Sequence, residues 1–433
     1  MSDSMPVPDH SRSTSGEEMP EDALPNSERP QGSAVQGSAV QGSALEVFFV
    51  FLRLGCVSFG GPIAHLGYFQ RELIERRRWC DEDTFGEIIA LAQSLPGPAS
   101  SQIGFALGIL RAGWPGGLAA WLGFTLPSAL LMLGFAYGGT LVSGAFAGRL
   151  THGLQLVAVA VVAQAVMTMQ RSLAPDRKRI ALAIAAAVVT LFAPSQLSTL
   201  IAILGGGIAG LVMLRSLDAA APRHTFIQWP EASGVVCAVI FFGLLLLLPA
   251  VAHFTSSPTA EVLTAFYRSG ALVFGGGHVV LPMLENAVVA RGWVTQQTFL
   301  AGYGAAQALP GPLFTFATFL GASVRGSSNP LLSGLSALVG IFAPGLLAMA
   351  AVLPFWGELR KNRPIQAALR GVNAAVVGIL IAALFTPLWT STIRSGPDFC
   401  FALVAFVLLV VWRVQPWMVV LGVSGAYLLT SAA

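Results

Sequence analysis

Beyond residue 45 the chain alternates between long apolar runs and short polar connections. The runs lie near 46–59, 84–110, 114–138, 150–170, 179–193, 196–214, 233–252, 261–274, 298–324, 331–356, 366–389, 397–412 and 416–431. They are rich in Leu, Ala, Val and Gly, and most are long enough for a helix through about 30 Å of hydrocarbon. Their Gly and Ala residues let helices pack closely where no water-driven force pulls them together. The pattern predicts an all-α polytopic membrane protein. Residues 1–45 are different in kind: Ser, Pro, Gly and acids dominate, and 31–44 read QGSAVQGSAVQGSA. That composition predicts a disordered tail with no role in transport. It is acidic and has no apolar run beside Met1, so it does not read as a secretory signal peptide.

Composition sharpens the picture. Of 433 residues 55% are hydrophobic and only 10% charged, against about 25% charged in soluble domains. So few charges cannot give a globule of this size a wetted surface, which excludes a water-soluble enzyme and makes the lipid bilayer the expected solvent. The tail holds seven acids (Asp3, Asp9, Glu17, Glu18, Glu21, Asp22, Glu28) and two bases (Arg12, Arg29). Removing them from the 21 acids and 24 bases leaves 14 and 22, a net +8 for the body. A basic body suits an anionic cargo, although bases in cytoplasmic loops explain most of the excess. Cys56, Cys80, Cys237 and Cys400 form no CxxC pair, so neither a disulfide framework nor a zinc site is expected. No cofactor and no nucleic-acid partner is expected either.

An internal repeat organises the body. Glu46 to Gly61 reads EVFFVFLRLGCVSFGG and Glu261 to Gly276 reads EVLTAFYRSGALVFGG, an offset of 215. Gln93 to Pro98 reads QSLPGP and Gln307 to Pro312 reads QALPGP; farther on, Pro127 matches Pro344 and Gly153 matches Gly371. The expected units are a first repeat at 46–214, a linker at 215–260 with one extra helix at 233–252, and a second repeat at 261–430. The basic loops differ between them. Arg71 to Arg78 (RELIERRR) and Arg171 to Arg179 (RSLAPDRKR) are strongest in the first, Arg360 to Arg363 (RKNR) in the second. These occupy opposite positions, so the positive-inside rule predicts halves that are upside down relative to each other. The single linking helix then requires an even number of crossings per half, with 46–59 not spanning.

The candidate chemistry sits where helices break. Phe59-Gly60-Gly61-Pro62 and Phe274-Gly275-Gly276-Gly277 interrupt apolar runs at matched positions, as do Pro96-Gly97-Pro98 and Pro310-Gly311-Pro312. Broken backbone within a membrane is tolerated only when buried in protein or lining a wet cavity. With Arg78 before it and Arg111 after it, 84–110 reads as a re-entrant hairpin turning at PGP. A half-helix beginning there aims free N–H groups and a positive dipole end inward. Ser100 and Ser101 add hydroxyls to its first turn, and Thr315 stands opposite Ser101 in the second copy. Two such hairpins meeting near the midplane would hold an oxyanion reversibly, as in many secondary transporters.

Arg53 and Arg268 share a repeat position inside apolar segments, a functional placement by default. The structural alternatives are snorkelling to headgroups or pairing with Glu46 and Glu261. Glu87 and Glu285 are candidate coupling groups. His65, His152 and His278 lie near the motifs without metal-ligand spacing, and His278 directly follows FGGG. No GxxxxGK[ST] loop is present, so transport is expected to be secondary.

SFGGPIAHLGYF with QSLPGPASSQIGFALG, then FGGGHVVLPMLE, GW and QALPGPLFTFATFLG, closely resemble the chromate ion transporter family in its long-chain, two-domain form. The resemblance covers nearly everything after residue 45. It implies a bacterial inner-membrane protein, its N-terminal tail cytoplasmic, that exports chromate with the proton motive force and confers resistance. It places the family motif on Phe59, Gly60, Gly61, Pro62, Gln93, Pro96, Gly97 and Pro98, with Phe274 to Gly277, Gln307 and Pro310 to Pro312 as counterparts. Sulfate, also a tetrahedral dianion, is the alternative cargo. A membrane-embedded reductase is the remote alternative, and no haem, flavin or cluster motif supports it. With both halves in one chain, a dimer is not required.

Overall fold

The computed structural model describes residues 42–141, 145–192, 196–214, 230–255, 257–274, 280–359 and 361–430. The predicted tail, apart from its last four residues, and Gly275, Gly276, Gly277 and His278 lie outside these described residues. Everything described is helix or connection. The first half comprises α1 (Ala44–Val57), α2 (Gly61–Phe69, continued by a π-helical turn, Gln70–Arg76), α3 (Glu82–Ser94), α4 (Ala99–Leu141), α5 (Ala145–Leu173), α6 (Arg177–Phe192) and α7 (Gln196–Met213). The linking helix is α8 (Glu231–Thr255). The same order then recurs as α9 (Pro258–Leu272), α10 (Val280–Val288), α11 (Gln296–Ala306), α12 (Phe316–Ala322) and α13 (Pro330–Val352). After the short α14 (Trp356–Leu359) come α15 (Arg363–Ala383), a brief α16 (Thr390–Thr392), α17 (Gly396–Val410) and α18 (Pro416–Thr430).

Polar residues at fixed places start these helices. Asp81 caps α3 through Thr84 N at 2.7 Å, and Thr295, its repeat counterpart, caps α11 through Thr298 N at 3.1 Å. Asn329 and Asn362 cap α13 and α15 in the same way. Each cap satisfies a backbone donor that the first helical turn leaves unpaired. Inside α4 the backbone leaves helical geometry at Ala112 and Gly113, separating the two apolar runs read at 84–110 and 114–138.

Among the described residues five helical stretches are long and apolar enough to cross a membrane: Ala99–Gly138, Gly148–Leu173, Glu231–Thr255, Pro330–Leu359 and Arg363–Thr392. The chain is a multi-pass α-helical membrane protein. Of the most apolar stretch of α8 only 17% is buried within the protein, so this helix sits at the periphery with most of its surface left for lipid. It packs on α9 and α13, and Tyr267 and Thr264 of α9 donate to its carbonyls of Phe241 and Leu248.

The packing interlaces the halves. Within each, the first short helix lies along the long one, α1 on α4 and α9 on α13. The later helices exchange partners: α5 packs on α17 and α18, and α15 packs on α6 and α7. Small residues make the exchange possible. Gly371 of α15 abuts Gly206 and Gly210 of α7, and its counterpart Gly153 of α5 abuts Ser424 of α18. A side chain at these glycines would hold the backbones apart.

Candidate functional site

The two PGP turns cross the two broken helices reciprocally. Helix α3 ends at Ser94, Leu95 is extended, and α4 resumes at Ala99. Between them Gly97 adopts φ +121° and donates its N–H to the carbonyl of Val273 at 2.7 Å, the residue that terminates α9. In the other half Gly311 adopts φ +90° and donates to Ser58 O at 2.9 Å, the residue that terminates α1. Ser58 and Val273 are repeat-related, as are Gly97 and Gly311. Each turn therefore satisfies a carbonyl that the other half's broken helix leaves without an intrahelical partner.

Only glycine fits either turn. A Cβ on Gly97 would lie 2.6 Å from Gly345 Cα of α13, and one on Gly311 would lie 2.8 Å from Ser128 Oγ of α4. Positive φ at both positions adds strain for any other residue.

Polar side chains gather here within an apolar interior. Ser100, Ser101 and Gln102 in the first turn of α4 are all buried, Gln102 completely. Gln102 Nε2 donates to Pro96 O and to Gly345 O, both at 2.9 Å, tying the first PGP turn to α13. Its Oε1 and the Ser101 hydroxyl have no protein partner among the described residues. At the second crossing His65 Nε2 lies 3.1 Å from Ser58 O. A carbonyl only accepts, so Nε2 carries the proton and Nδ1 is left bare; it is buried and unpartnered among the described residues. Ser58 Oγ and Thr125 Oγ1 are unpartnered too, and the His65 ring stands edge-on to Phe124 at 5.2 Å. Buried polar atoms are almost always paired. Several such atoms around two backbone crossings are what a site for a polar ligand or ordered water presents.

The remaining expected residues fall into three groups. Pro96, Pro98, Pro310 and Pro312 flank the crossing glycines, and Gly60, Gly61 and Pro62 open α2. Phe59 lies half-buried at 5.9 Å from the Trp417 ring, and Phe274 is half-buried. Gln307 sits at the end of α11 with its Nε2 buried and without a hydrogen-bond partner among the described residues, whereas its counterpart Gln93 is exposed.

In the second group the readings of Thr315 and of a Glu46–Arg53 pair are corrected, and the other residues are placed. The Thr315 hydroxyl donates to Pro312 O at 2.9 Å, so it caps its own turn and does not mirror Ser101. The second copy follows PGP with a 3-10 turn, Leu313–Thr315, and a seven-residue α12, so the expected pair of matched half-helix starts is unequal. Glu46 does not partner Arg53: it pairs with Arg111 at 3.2 Å and lies 3.8 Å from Arg77. Arg53 and Arg268 are exposed and form no ion pair among the described residues. Glu87 is held by Trp356 Nε1 at 3.0 Å, while Glu285 is half-buried on α10.

The third group is what sequence reasoning missed. Gln102 had a visible signal, a lone amide in the apolar run after ASS. His65 was noticed, but its bond to Ser58 depends on the α1–α2 break geometry. The hydrogen bond between His152 Nε2 and Asp398 Oδ1, at 3.0 Å, joins α5 to α17 and had no sequence signal.

A family model described as Chromate transporter matches residues 45–211 and 260–429. The chain is 32% identical over 340 residues to the chromate transport protein of Pseudomonas aeruginosa, covering 77% of this chain and 79% of that one. It is 29% identical over 360 residues to the probable chromate transport protein of Synechococcus elongatus, covering 82% and 87%. With the chromate transport protein of Cupriavidus metallidurans it shares 28% identity over 376 residues, covering 84% and 87%. No solved structure matches it.

Proposed function

The chain belongs to the chromate transporter family, and we propose that it is a secondary transporter exporting chromate across the bacterial cytoplasmic membrane. The observation that carries the reading is the reciprocal crossing, Gly97 to Val273 and Gly311 to Ser58, surrounded by unpartnered buried polar atoms. In this reading residues 46–214 and 261–430 are inverted repeats joined by α8. Helices α1, α2, α3, α9, α10, α11 and α12 and the start of α4 enter the membrane and return without crossing, which leaves each half an even number of crossings. The two PGP turns then meet near the midplane.

The arrangement suits a tetrahedral dianion. Helix α4 begins at the crossing with its positive dipole end, Ser101 offers a free hydroxyl, and no fixed cation is needed there. Neutral donors hold an anion loosely enough for release. Chromate enters as the cargo from the names of the relatives. The chain has no nucleotide-binding loop, which favours an ion gradient, here the proton motive force, as the energy source. Glu87 and Glu285 are the coupling candidates. Export would confer chromate resistance.

Everted vesicles containing the protein test the reading. Energised vesicles should accumulate labelled chromate, and a protonophore should abolish the accumulation. Inhibition by excess sulfate would mean a shared oxyanion site. Sulfate uptake without chromate uptake would overturn the cargo, and uptake indifferent to the protonophore would overturn the coupling.

A further inference from the structure

We propose that the second half carries a separate oxyanion-docking site, formed by Arg268 and Arg291, beside the crossing; this rests on the transport reading above. Helices α7, α9 and α10 enclose a cavity of about 70 Å³ lined by Arg268, Arg291, Asn286, Thr199, Ser269 and Ala287. One buried water needs about 10–15 Å³ of such space, so the cavity admits several waters or one compact anion with four oxygens.

Its charge is uncompensated. Neither arginine has a carboxylate within ion-pairing distance among the described residues. The Arg291 guanidinium rests over the Trp293 ring at 5.0 Å, a contact that orients it without neutralising it. Both arginines line the same cavity, where their positive charges add, and their forked N–H donors match oxyanion geometry.

The repeat supplies an internal comparison. At the offset of 215 Arg268 corresponds to Arg53 and Ala287 to Glu72; past the π-helical turn Gln70–Arg76 the offset is 214, so Arg291, two residues before Trp293, corresponds to Arg77, two before Trp79. In the first half Glu72 pairs with Arg76 at 3.0 Å and with Arg77 at 2.8 Å. In the second half the acid is replaced by a methyl group that itself lines the cavity. The copy that lost its carboxylate is thus the copy that has an anion-sized cavity between two arginines.

Location links the cavity to the pathway. Arg268 precedes Val273, the acceptor of the Gly97 bond, by five residues of α9, about 7.5 Å at about 1.5 Å per residue. An anion held by Arg268 and Arg291 would be one short step from the unpartnered donors of the crossing.

The test is calorimetric titration of chromate and sulfate into the full-length protein in phosphatidylcholine vesicles. Arg268 and Arg291 are exposed, so Arg268→Gln and Arg291→Gln should fold. Each should weaken oxyanion binding about tenfold, the loss expected for one charge-assisted contact, and Arg76→Gln should change it less than twofold. Unchanged affinity in both variants, with wild-type binding intact, overturns the docking site and leaves the transport reading standing. Failure of the wild type to bind either anion overturns the transport reading itself. The same arginines could hold a lipid phosphate. In that case both variants bind the anions as the wild type does but lose phosphatidylglycerol through purification, and the docking site is overturned.

Discussion

The amide of Gly97 donates to the carbonyl of Val273 at 2.7 Å, so the turn of one half completes the broken helix of the other. Gly311 does the same for Ser58 at 2.9 Å. At each break the carbonyl accepts from an amide of the other half, and Ser58 O accepts from His65 of its own half as well. This interdependence requires the two halves to fold against each other, and it holds the polar atoms of the crossing in fixed places.

The two turns should not tolerate alanine equally. At Gly97 the new methyl meets the backbone of Gly345, at Gly311 the hydroxyl oxygen of Ser128, which can rotate away. Both also carry the strain of positive φ, about 1–3 kcal/mol. Gly97→Ala should therefore lower the unfolding temperature in detergent and abolish vesicle uptake. Gly311→Ala should be milder in both measurements, and a reversed order would show that the Gly97–Gly345 approach is not the limiting contact.

Gln102 bridges Pro96 and Gly345 through one amide. Gln102→Leu keeps the volume and loses two hydrogen bonds, so stability should fall by about 1–3 kcal/mol. Gln102→Glu, when ionised, donates to neither carbonyl and places a negative charge beside the anion path. Its uptake should fall below that of the leucine variant; equal uptake would separate Gln102 from the anion path.

Much of this was readable beforehand because glycine and proline act locally. The breaks at 58–61, 95–98 and 307–312 follow from backbone limits that need no neighbours. The kink at Ala112–Gly113 falls between two runs already separable by composition. Partner choice is another matter. Helices α5 and α15 are apolar on several faces, so nothing in their patterns announces that each packs on the other half. Glu46 is about two helical turns from Arg53 in sequence, but the α4 kink brings Arg111 closer in space. Thr315 looked like a free donor because its cap acceptor, Pro312 O, appears only with the 3-10 turn.

His65 is buried, and its one hydrogen-bond partner among the described residues is Ser58 O, the same carbonyl that Gly311 engages. His65→Gln retains a donor of similar reach, whereas His65→Leu removes it. The leucine variant should be less stable by about 1 kcal/mol, measured by thermal unfolding, and should lose most uptake. The glutamine variant should keep more of both. Identical behaviour would mean that the Ser58 bond has no part in holding the crossing.

The charged cluster outside the membrane-spanning segments predicts a pH dependence with a definite sign. Burial by itself raises the Glu72 carboxyl, but hydrogen bonds and charges from Arg77 and Arg76 outweigh it and hold the group below its ordinary value of 4.5. A carboxylate with a depressed folded value adds stability that is fully present above the unfolded value and is lost as pH falls through the folded one. The pairs are partly exposed, so the contribution is at most about 1 kcal/mol. Glu72→Gln should then unfold at a lower temperature than the wild type at pH 7. The gap should close as the pH is lowered through and below 4.5, because the wild-type carboxyl becomes neutral as well. A gap that stays constant down to pH 3 would assign the stabilisation to packing of the side chain and not to its charge.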